Sequence, residues 1–539
     1  MRRIKLHRIL FLILFEQTIF KLNPDSTKTQ NYSGTIIIAF FALVTFVVHL
    51  SVAKNFELHR DELLFVALGK NLDWGYTSVP PFIGFLSYTA QLLFSDVSFG
   101  LKFFAALAGS GLIVIVGKIT TELGGKNWAI FLACCAVALS PAYMATAALF
   151  QPVIFDILFW TLAAFYFIKL LKTQNENIWY WLILVCAIGF LNKYNIIFEI
   201  SGFILALLIS TERKLFLRKQ FWIAAFIGIL VVSPNIFWQI KNHFPVVYHM
   251  KELQRTQLSH LELSDFFFGQ ILDNLPALWL WVIPFIFVFV KKAENWLRIY
   301  IVASVITFLL FAFGGAKHYY TFGMYPTLIA IGGFIVEKYG ITNVLKILKY
   351  AMVLFMIVVS VFAAPIGLPI LSRPNSVKYF QKIKPIIGNG LFTWEDRKVH
   401  NITQDYADET GWQGLAKLVD SAYESLSNEE KLHCAIFCEN YGEAGAVGLY
   451  SKNKILKLVS FSDSYLSWAP DSLNISTLIY VNDDSTEIKT HFETVTEFGR
   501  IENEYFRENH LPVFICRKPN DGWRSFYASK VAEIRKRKN

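Results

Sequence analysis

Charged residues are scarce in this sequence of 539 residues, of which only 17% are Asp, Glu, Lys or Arg. A water-soluble protein of this length normally carries about 25%. Hydrophobic residues make up 54% of the chain. They are bunched into runs of about 17–22 residues, close to the length that crosses the hydrocarbon core of a bilayer. This pattern excludes a water-soluble fold and predicts an α-helical polytopic membrane protein.

Cysteine is also scarce, and six cysteines do not make a disulfide framework in so long a chain. Cys134, Cys135 and Cys186 lie in apolar runs and are expected to pack in the interior. Cys434 and Cys438 would lie about 13 Å apart on one strand, too far to pair with each other. Either could pair with Cys516, and free thiols are the equal alternative.

Signatures of several other protein classes are missing. The basic start is followed by acidic residues and not by a small-residue cleavage site, so residues 1–34 are predicted to be a cytoplasmic segment. The glycines at 442, 445 and 448 have the wrong spacing for a dinucleotide-binding fingerprint. The net charge of +10 comes from basic residues in the gaps between apolar runs. That is the positive-inside pattern, so no nucleic-acid partner is expected.

The apolar runs predict about 11 transmembrane helices between residues 35 and 365. They lie at 35–52, 101–117, 127–148, 153–171, 178–191, 194–210, 220–240, 276–290, 297–313, 319–336 and 346–364. The segment Pro80–Phe94 is apolar too, but it opens with two prolines and is only about 15 residues long. It is therefore predicted to be a short helix at the interface and not a span.

The distribution of lysine and arginine predicts the orientation. If residues 80–94 do not cross, the basic loops all become cytoplasmic, and the short opposite loops hold only Lys193 and Lys317. The long loops 53–79 and 241–275 then face the outside. Residues 366–539 do so as well, and their alternation of β-like and helical runs predicts an extracytoplasmic α/β or α+β domain. The protein is thus expected in the plasma (inner) membrane, with membrane lipids around it.

Candidate chemistry begins in the first outer loop, where His59, Arg60, Asp61 and Glu62 follow one another. Adjacent carboxylates at an interface of low dielectric repel, so one of them can acquire a raised pKa and act as a base. The alternative is a solvated helix start in which Asp61 and Glu62 complement the helix dipole. The sequence favours neither.

Three further polar patches reach the same face. Asp156 lies about one turn inside its predicted span, where an ionisable group is costly and indicates function. Lys193 lies in the next outer turn, either as a functional cation or as a snorkelling anchor. Lys317, His318, Tyr319 and Tyr320 follow two glycines between two spans. This last group suits an anionic headgroup, although an aromatic belt with a lysine anchor also explains the tyrosines.

These residues resemble those of the bacterial dolichyl-phosphate-mannose–protein mannosyltransferase-like group. Its members are GT-C glycosyltransferases related to glycosyltransferase family 39 and to the aminoarabinose transferases that modify lipid A. The resemblance rests on residues 59–62, on Gly75-Tyr76 with Pro80-Pro81, on Asp156 and on residues 317–320 before Tyr325-Pro326. It continues in the tail at residues 439–446, Glu-Asn-Tyr-Gly-Glu-Ala-Gly-Ala.

The resemblance implies an active site in the outer half of the membrane and a sugar donor carried on a polyprenyl phosphate. Asp61 matches the acidic residue of the family's first loop and would be the general base. Glu62 would orient the acceptor or help to hold a metal, and Asp156 would bind acceptor, donor sugar or metal. The donor phosphate would be held by Lys317 and His318, with Tyr319, Lys193 and Arg60 as further members of that set.

The acceptor could be a lipid, a glycan or a protein. A protein is not favoured, because residues 366–539 show no repeat like that of the eukaryotic enzymes' lumenal module. No cofactor is certain; a divalent metal ion is the one the family leaves open, and the sequence has no compact ligand cluster for it. The rival readings are a secondary transporter or flippase, which would normally show inverted repeats, and a membrane ligase that moves whole glycans.

Overall fold

The computed structural model describes residues 27–260, 262–290, 293–339, 343–453 and 457–538. Most of the predicted cytoplasmic segment 1–34 lies outside these residues. Within them, seven helices are long and apolar enough to cross a membrane, or nine if each of two bent helix pairs counts as one span. The predicted polytopic helical membrane fold is confirmed.

The helices of the membrane part follow the apolar runs of the sequence. Their bounds are Thr27–Val52, Arg60–Lys70, Phe82–Leu93, Val97–Glu122, Asn127–Ala138, Pro141–Ala148, Pro152–Thr173, Ile178–Asn192, Ile196–Ile209, Lys219–Lys241, Pro245–Thr256, Leu263–Asp273, Leu278–Phe287, Asn295–Phe313, Tyr325–Tyr339 and Asn343–Gly367. Short 3₁₀ helices cover 211–217, 258–260, 275–277 and 318–324. Many large apolar side chains on the outside of the bundle are exposed, Phe226, Ile229 and Phe237 among them. Such a surface suits lipid and not water.

Two predicted spans are not continuous helices. The run 127–148 breaks at Leu139 and Ser140 into two helices that meet at 58°. The cause is Pro141, which supplies no N–H and disfavours the helical conformation of the residue before it. The run 276–290 is a helix of ten residues, Leu278–Phe287, bent by 67° from Leu263–Asp273. Here Pro276 stands in the one-turn 3₁₀ helix that joins them.

Three apolar helices are shorter than a span. Ile178–Asn192 and Ile196–Ile209 correspond to the predicted spans 178–191 and 194–210, but at 15 and 14 residues they are too short to count as spans by length, so the total of eleven stays a prediction. Phe82–Leu93 has 12 residues and packs on Arg60–Lys70 and Val97–Glu122. It is shorter than a span, and its position at the interface stays a prediction. The end of the bundle that carries residues 53–96 and the tail is termed the outer face.

The tail, residues 366–538, combines helices with one mixed sheet. Its strands are β1 Cys434–Cys438, β2 Leu458–Val459, β3 Thr477–Val481, β4 Phe492–Arg500 and β5 Pro512–Pro519, in the order β2-β1-β3-β5-β4. β2, β1 and β3 run parallel, and β5 is antiparallel to β3 and β4. The helices are Arg373–Ile387, Gln404–Asp408, Trp412–Glu424, Asn428–Leu432, Tyr441–Tyr450, Tyr465–Trp468, Thr486–Lys489 and Trp523–Lys538, with a 3₁₀ turn at 390–392. The predicted α/β or α+β tail is confirmed; the domain bounds stay a prediction.

All six cysteines are free thiols. Cys434 and Cys438 lie on β1 and Cys516 lies on β5, with β3 between them. Neighbouring strands are about 4.8 Å apart, so β1 and β5 are separated by nearly 10 Å, which exceeds the reach of a disulfide. Of the two alternatives left open by the sequence, a disulfide to Cys516 or free thiols, the structure has free thiols.

Candidate active site

The first outer loop ends in a short helix, Arg60–Lys70, which presents Asp61 at the outer face. His59 caps the helix: its Nδ1 accepts the N–H of Asp61 at 3.1 Å. Glu62 closes a capping box by accepting the N–H of His59 at 2.8 Å. These bonds satisfy backbone donors that a helix start otherwise leaves free. The sequence His-Arg-Asp-Glu is therefore a helix start as well as a set of reactive groups.

Asp61 and Glu62 are neighbours in sequence but have different surroundings. Glu62 is fully buried; its carboxylate also accepts the N–H of Phe150 at 2.6 Å and pairs with Lys102 at 2.9 Å. An acceptor or a metal would have to displace these partners, so the geometry does not favour the expected contact of Glu62 with either. Glu62 therefore serves the start of the helix, whereas the Asp61 side chain is directed towards Tyr441 and Gln151.

The Asp61 side chain is 37% exposed and accepts two hydrogen bonds. The hydroxyl of Tyr441 donates to Oδ1 at 2.8 Å, and Nε2 of Gln151 donates to Oδ2 at 3.2 Å. A carboxylate has about four lone-pair positions, so one on each oxygen remains free. Asp61 is fixed in place and still accessible, which is the arrangement that a general base requires.

The tail reaches Asp61 through the helix Tyr441–Tyr450. This helix packs closely on Arg60–Lys70, because a Cβ on Gly445 would lie 2.7 Å from Cβ of Leu63. A Cβ on Gly442 would similarly lie 2.7 Å from Cγ of Arg60. The Arg60 guanidinium lies over the Tyr441 ring at 4.5 Å. The glycines of the tail motif thus allow the close approach that brings Tyr441 to Asp61.

A buried ionic cluster strengthens this contact between membrane part and tail. The Lys102 ammonium lies 2.9 Å from Glu62 and 3.2 Å from Glu409 of the tail. Burial raises the pKa of Glu409 to about 7, against the opposing charge of Lys102. Two carboxylates share one ammonium in a region of low dielectric, so holding a proton on Glu409 lowers the net charge of the cluster.

A second chain of polar contacts leads from His59 to Lys317. Nε2 of His59 faces Asp408 at 3.6 Å, and Asp408 pairs with Arg507 at 3.2 Å. Arg507 also contacts Glu395 at 2.9 Å. Gln257, in the second long loop, then donates to Glu395 at 2.9 Å and accepts from Nζ of Lys317 at 2.6 Å. The first loop, the second long loop, the tail and residues 314–320, termed the third loop, are therefore joined at one place.

The predicted cations lie close to one another and to both predicted acids. Lys317 is near enough to Asp61 and Lys193 for their charges to interact, and Lys193 interacts likewise with Asp156. Burial lowers the pKa of Lys317, which Glu395 and Asp61 oppose. Two ammonium groups in a partly buried site repel each other, and an anion between them would relieve that repulsion.

The aromatic and histidine residues of the third loop have defined partners. The Lys193 ammonium lies over the rings of Tyr320 at 4.7 Å and Tyr319 at 5.4 Å. Nδ1 of His318 lies 2.6 Å from the Asp273 carboxylate, and the His318 side chain is 41% exposed. The free ring nitrogen of His318 can therefore contact a ligand while Asp273 fixes the ring.

Asp156 lies in the fifth position of its helix, as expected, and is 4% exposed. Its Oδ2 accepts from Nδ2 of Asn195 at 2.9 Å. Oδ1 makes no hydrogen bond of standard geometry to the described residues, although the Trp160 side chain lies near the carboxylate. A buried carboxylate oxygen without a donor is costly, so a ligand hydroxyl or a cation would be stabilised there.

The residues described contain no group of three or more His, Cys, Asp or Glu side chains arranged to hold a metal ion. Sequence reasoning did not single out Lys102, Gln257, Glu395, Asp408 or Arg507. Only Lys102 carried a usable signal, since a lysine inside a predicted span indicates a partner or a function. The other four lie in polar segments where nothing distinguishes them.

Comparison with known proteins agrees with this architecture. A family model described as dolichyl-phosphate-mannose-protein mannosyltransferase matches residues 78–238. The chain is similar to lipid A galacturonosyltransferase RgtD of Rhizobium johnstonii, with 25% identity over 229 residues. That match covers 41% of this chain and 46% of RgtD, so the chain spans about half the length of the curated relative.

Two solved structures share the fold. ArnT from Cupriavidus metallidurans bound to undecaprenyl phosphate superposes with a TM-score of 0.59 at 11% identity, covering 89% of this chain and 97% of ArnT. The apo state of the same protein gives 0.59 at 12% identity, covering 89% and 98%. Identity this low shows the fold alone. The predicted resemblance to mannosyltransferase-like membrane proteins of the GT-C fold is confirmed.

Proposed function

We propose that this protein is a membrane glycosyltransferase that moves a sugar from a polyprenyl-phosphate donor to an acceptor hydroxyl. The observation that carries the proposal is that an accessible, hydrogen-bonded Asp61 lies near enough to the partly buried ammonium of Lys317 for their charges to interact. One group can accept a proton and the other can bind an anion. The names of the similar proteins support the same chemistry: a mannosyltransferase family, a lipid A galacturonosyltransferase and a protein bound to undecaprenyl phosphate.

In the proposed reaction, Asp61 removes the proton of the acceptor hydroxyl as its oxygen attacks the anomeric carbon. A bond forms between that oxygen and the carbon, the bond from the carbon to the phosphate oxygen breaks, and polyprenyl phosphate leaves with the electron pair. Phosphate is a good leaving group, so a separate strong acid is unnecessary. This differs from glycosidases, which protonate a poor leaving group with a second carboxyl.

The leaving phosphate gains charge and needs cations near it. We assign this role to Lys317, with Lys193 and His318 as additional contacts. Arg60 is a further candidate, because its Nε has no hydrogen-bond partner among the described residues. Tyr319 lies beneath the Lys193 ammonium and would shape the wall of this site.

Two acidic residues would have supporting roles. The unpartnered Oδ1 of Asp156 would accept a hydroxyl of the donor sugar or of the acceptor. Glu62 would act as a positioning residue, because its bonds to His59, Phe150 and Lys102 fix the helix that carries Asp61. This revises its expected direct contact with acceptor or metal.

The proposed site lies at the outer face, which we place outside the cytoplasm on the basis of the positive-inside pattern. The donor's polyprenyl chain would lie in the membrane, with its phosphate at the level of Lys317. We favour a lipid-linked acceptor over a protein, since the similar curated protein is named as acting on lipid A.

The proposal is tested with purified protein, a polyprenyl-phosphate sugar and an envelope lipid extract, with mass spectrometry of the products. The variant Asp61→Asn should lower the transfer rate by about 100- to 10,000-fold, the usual contribution of a general base. Asp73→Asn is the matched control. Asp73 is an exposed residue of the same loop, and its carboxylate accepts the N–H of the neighbouring Trp74 at 2.7 Å. Transfer by the Asp61 variant at the wild-type rate would refute the assignment of the base.

A further inference from the structure

A cleft of about 210 Å³ opens on the tail, between the sheet and the C-terminal helix Trp523–Lys538. It lies on the sheet face opposite the helix Tyr441–Tyr450, because Phe437 and Tyr480 point into it while Ile436 and Ile479 pack on the other side. The proposed reaction at Asp61 makes no use of it. Six aromatic side chains line it: Phe437, Phe461, Tyr480, Trp523, Phe526 and Tyr527.

The position of the cleft in the sheet favours a binding role. β1, β2 and β3 are parallel, and their carboxyl ends lie at one edge of the sheet. Glu439 directly follows β1, Phe461 follows β2 after one intervening residue, and Asn482 directly follows β3; all three line the cleft. In open α/β sheets, ligands bind in the crevice outside the carboxyl ends of the parallel strands.

The lining combines aromatic faces with groups that bond hydroxyls. Phe437 is stacked on Tyr480 with ring centroids 5.4 Å apart, and Phe461 meets Phe437 edge-on at 5.0 Å. Phe461 is partly exposed and can offer its surface to a ligand, whereas the Phe526 ring is stacked on His491 at 3.9 Å and contributes its edge to the wall. The carboxylate of Glu439 and the amide of Asn482 stand beside them. A sugar ring has this same character, with apolar C–H faces and hydroxyls at its edge.

The charge around the cleft restricts the ligand. Glu487 is paired with Lys530 at 2.7 Å, so the lysine is already neutralised. Glu439 interacts with the carboxylates of Asp483 and Glu508. The mouth is therefore negative, and it would repel a phosphate or a carboxylate. The same negative charge would not repel a neutral ligand and would attract one that carries an amine.

We infer that this cleft binds one neutral or amine-bearing sugar ring of the acceptor saccharide. The inference rests on the proposed function. Glu439 in the cleft and Tyr441 at Asp61 are separated by one residue, so their Cα atoms lie within about 7 Å. That residue, Asn440, is held by bonds from the N–H groups of Gly442 and Glu443 at 2.9 and 3.1 Å. One rigid turn thus links the cleft to the base.

Three glycosides that differ only in charge test the binding. Methyl glucoside is neutral, methyl glucosaminide is cationic and methyl glucuronide is anionic. Saturation-transfer NMR on the full-length protein in nanodiscs should show binding of the first two and none of the third. Phe461→Ala and Asn482→Ala should abolish the signals. Phe498→Ala, which removes a partly exposed phenylalanine from β4 outside the cleft, should retain them.

The same variants are then compared in transfer assays. Phe461→Ala should raise the KM for a saccharide acceptor about 10-fold, with kcat and the KM for the donor unchanged. Equal binding of all three glycosides, or signals that survive in both cleft variants, would overturn the inference, as would no binding by the wild type. Because the NMR measurement needs no turnover, the two failures can be told apart: a protein that binds the glycosides without transferring sugar refutes the proposed function and leaves the cleft as a sugar-binding site without its acceptor role.

Discussion

The hydrogen bond from Tyr441 to Asp61 allows the sharpest test of how the tail takes part in the proposed reaction. Tyr441→Phe removes one hydroxyl and keeps the ring that lies beneath Arg60. Asp61 then retains only the bond from Gln151 at 3.2 Å, the longer of its two. The carboxylate gains freedom to rotate and loses a donor that stabilises its charge.

The size of the effect follows from the chemistry of that bond. A hydrogen bond to a charged group contributes about 1.5–3 kcal/mol, and each 1.4 kcal/mol corresponds to a factor of ten in rate. If the whole loss falls on the transition state, kcat decreases by about 10- to 100-fold.

The assay measures kcat and the KM values for donor and acceptor in transfer with a polyprenyl-phosphate sugar. Tyr441→Phe should lower kcat and leave both KM values unchanged. Tyr450→Phe is the matched control, because Tyr450 lies at the other end of the same helix and its hydroxyl accepts the N–H of Leu58 at 3.3 Å. It should leave kcat unchanged. If Tyr441→Phe shows wild-type kcat while its melting temperature is normal, Tyr441 does not position the base.

Three further predictions address the donor site, the ionic cluster and the orientation. Lys317→Ala should raise the KM for the donor about 10-fold and leave the acceptor KM unchanged, while Lys54→Ala, an exposed lysine at the same face, changes neither. The pKa of Glu409 is raised from 4.5 to about 7, so protonated Glu409 stabilises the fold fully below about pH 4.5, and this stabilisation is lost as the pH rises through 7. Thermal unfolding in detergent should show the free energy of unfolding falling by up to about 3 kcal/mol over this range, and Glu409→Gln should remove that pH dependence. A cysteine at Ser78 should react with an impermeant thiol reagent on intact cells, and labelling only after the cells are opened would contradict the orientation.

The sequence alone determined the membrane class, the approximate number of helices and the mixed α and β character of the tail. The length of an apolar run and the spacing of its apolar residues are properties of a single segment, so they can be recognised without knowledge of tertiary contacts. The short helix after Pro80 and Pro81 was predictable for the same reason. The bend within residues 127–148 was missed although Pro141 was its local signal, because the apolar run continues across it.

Only the tertiary structure showed how differently the two acidic residues of the first loop are surrounded. The family resemblance had singled out Asp61, but the residue types alone do not distinguish it from Glu62. Lys102 and two backbone N–H groups enclose Glu62, while Asp61 contacts Tyr441, which lies 380 residues further along the chain. Whether Cys434 or Cys438 can form a disulfide with Cys516 was likewise decided by the tertiary structure, because β3 separates β1 from β5. Contacts between distant segments set burial and hydrogen bonding, and these set the chemistry of a carboxylate. A single sequence does not specify those neighbours in any local pattern.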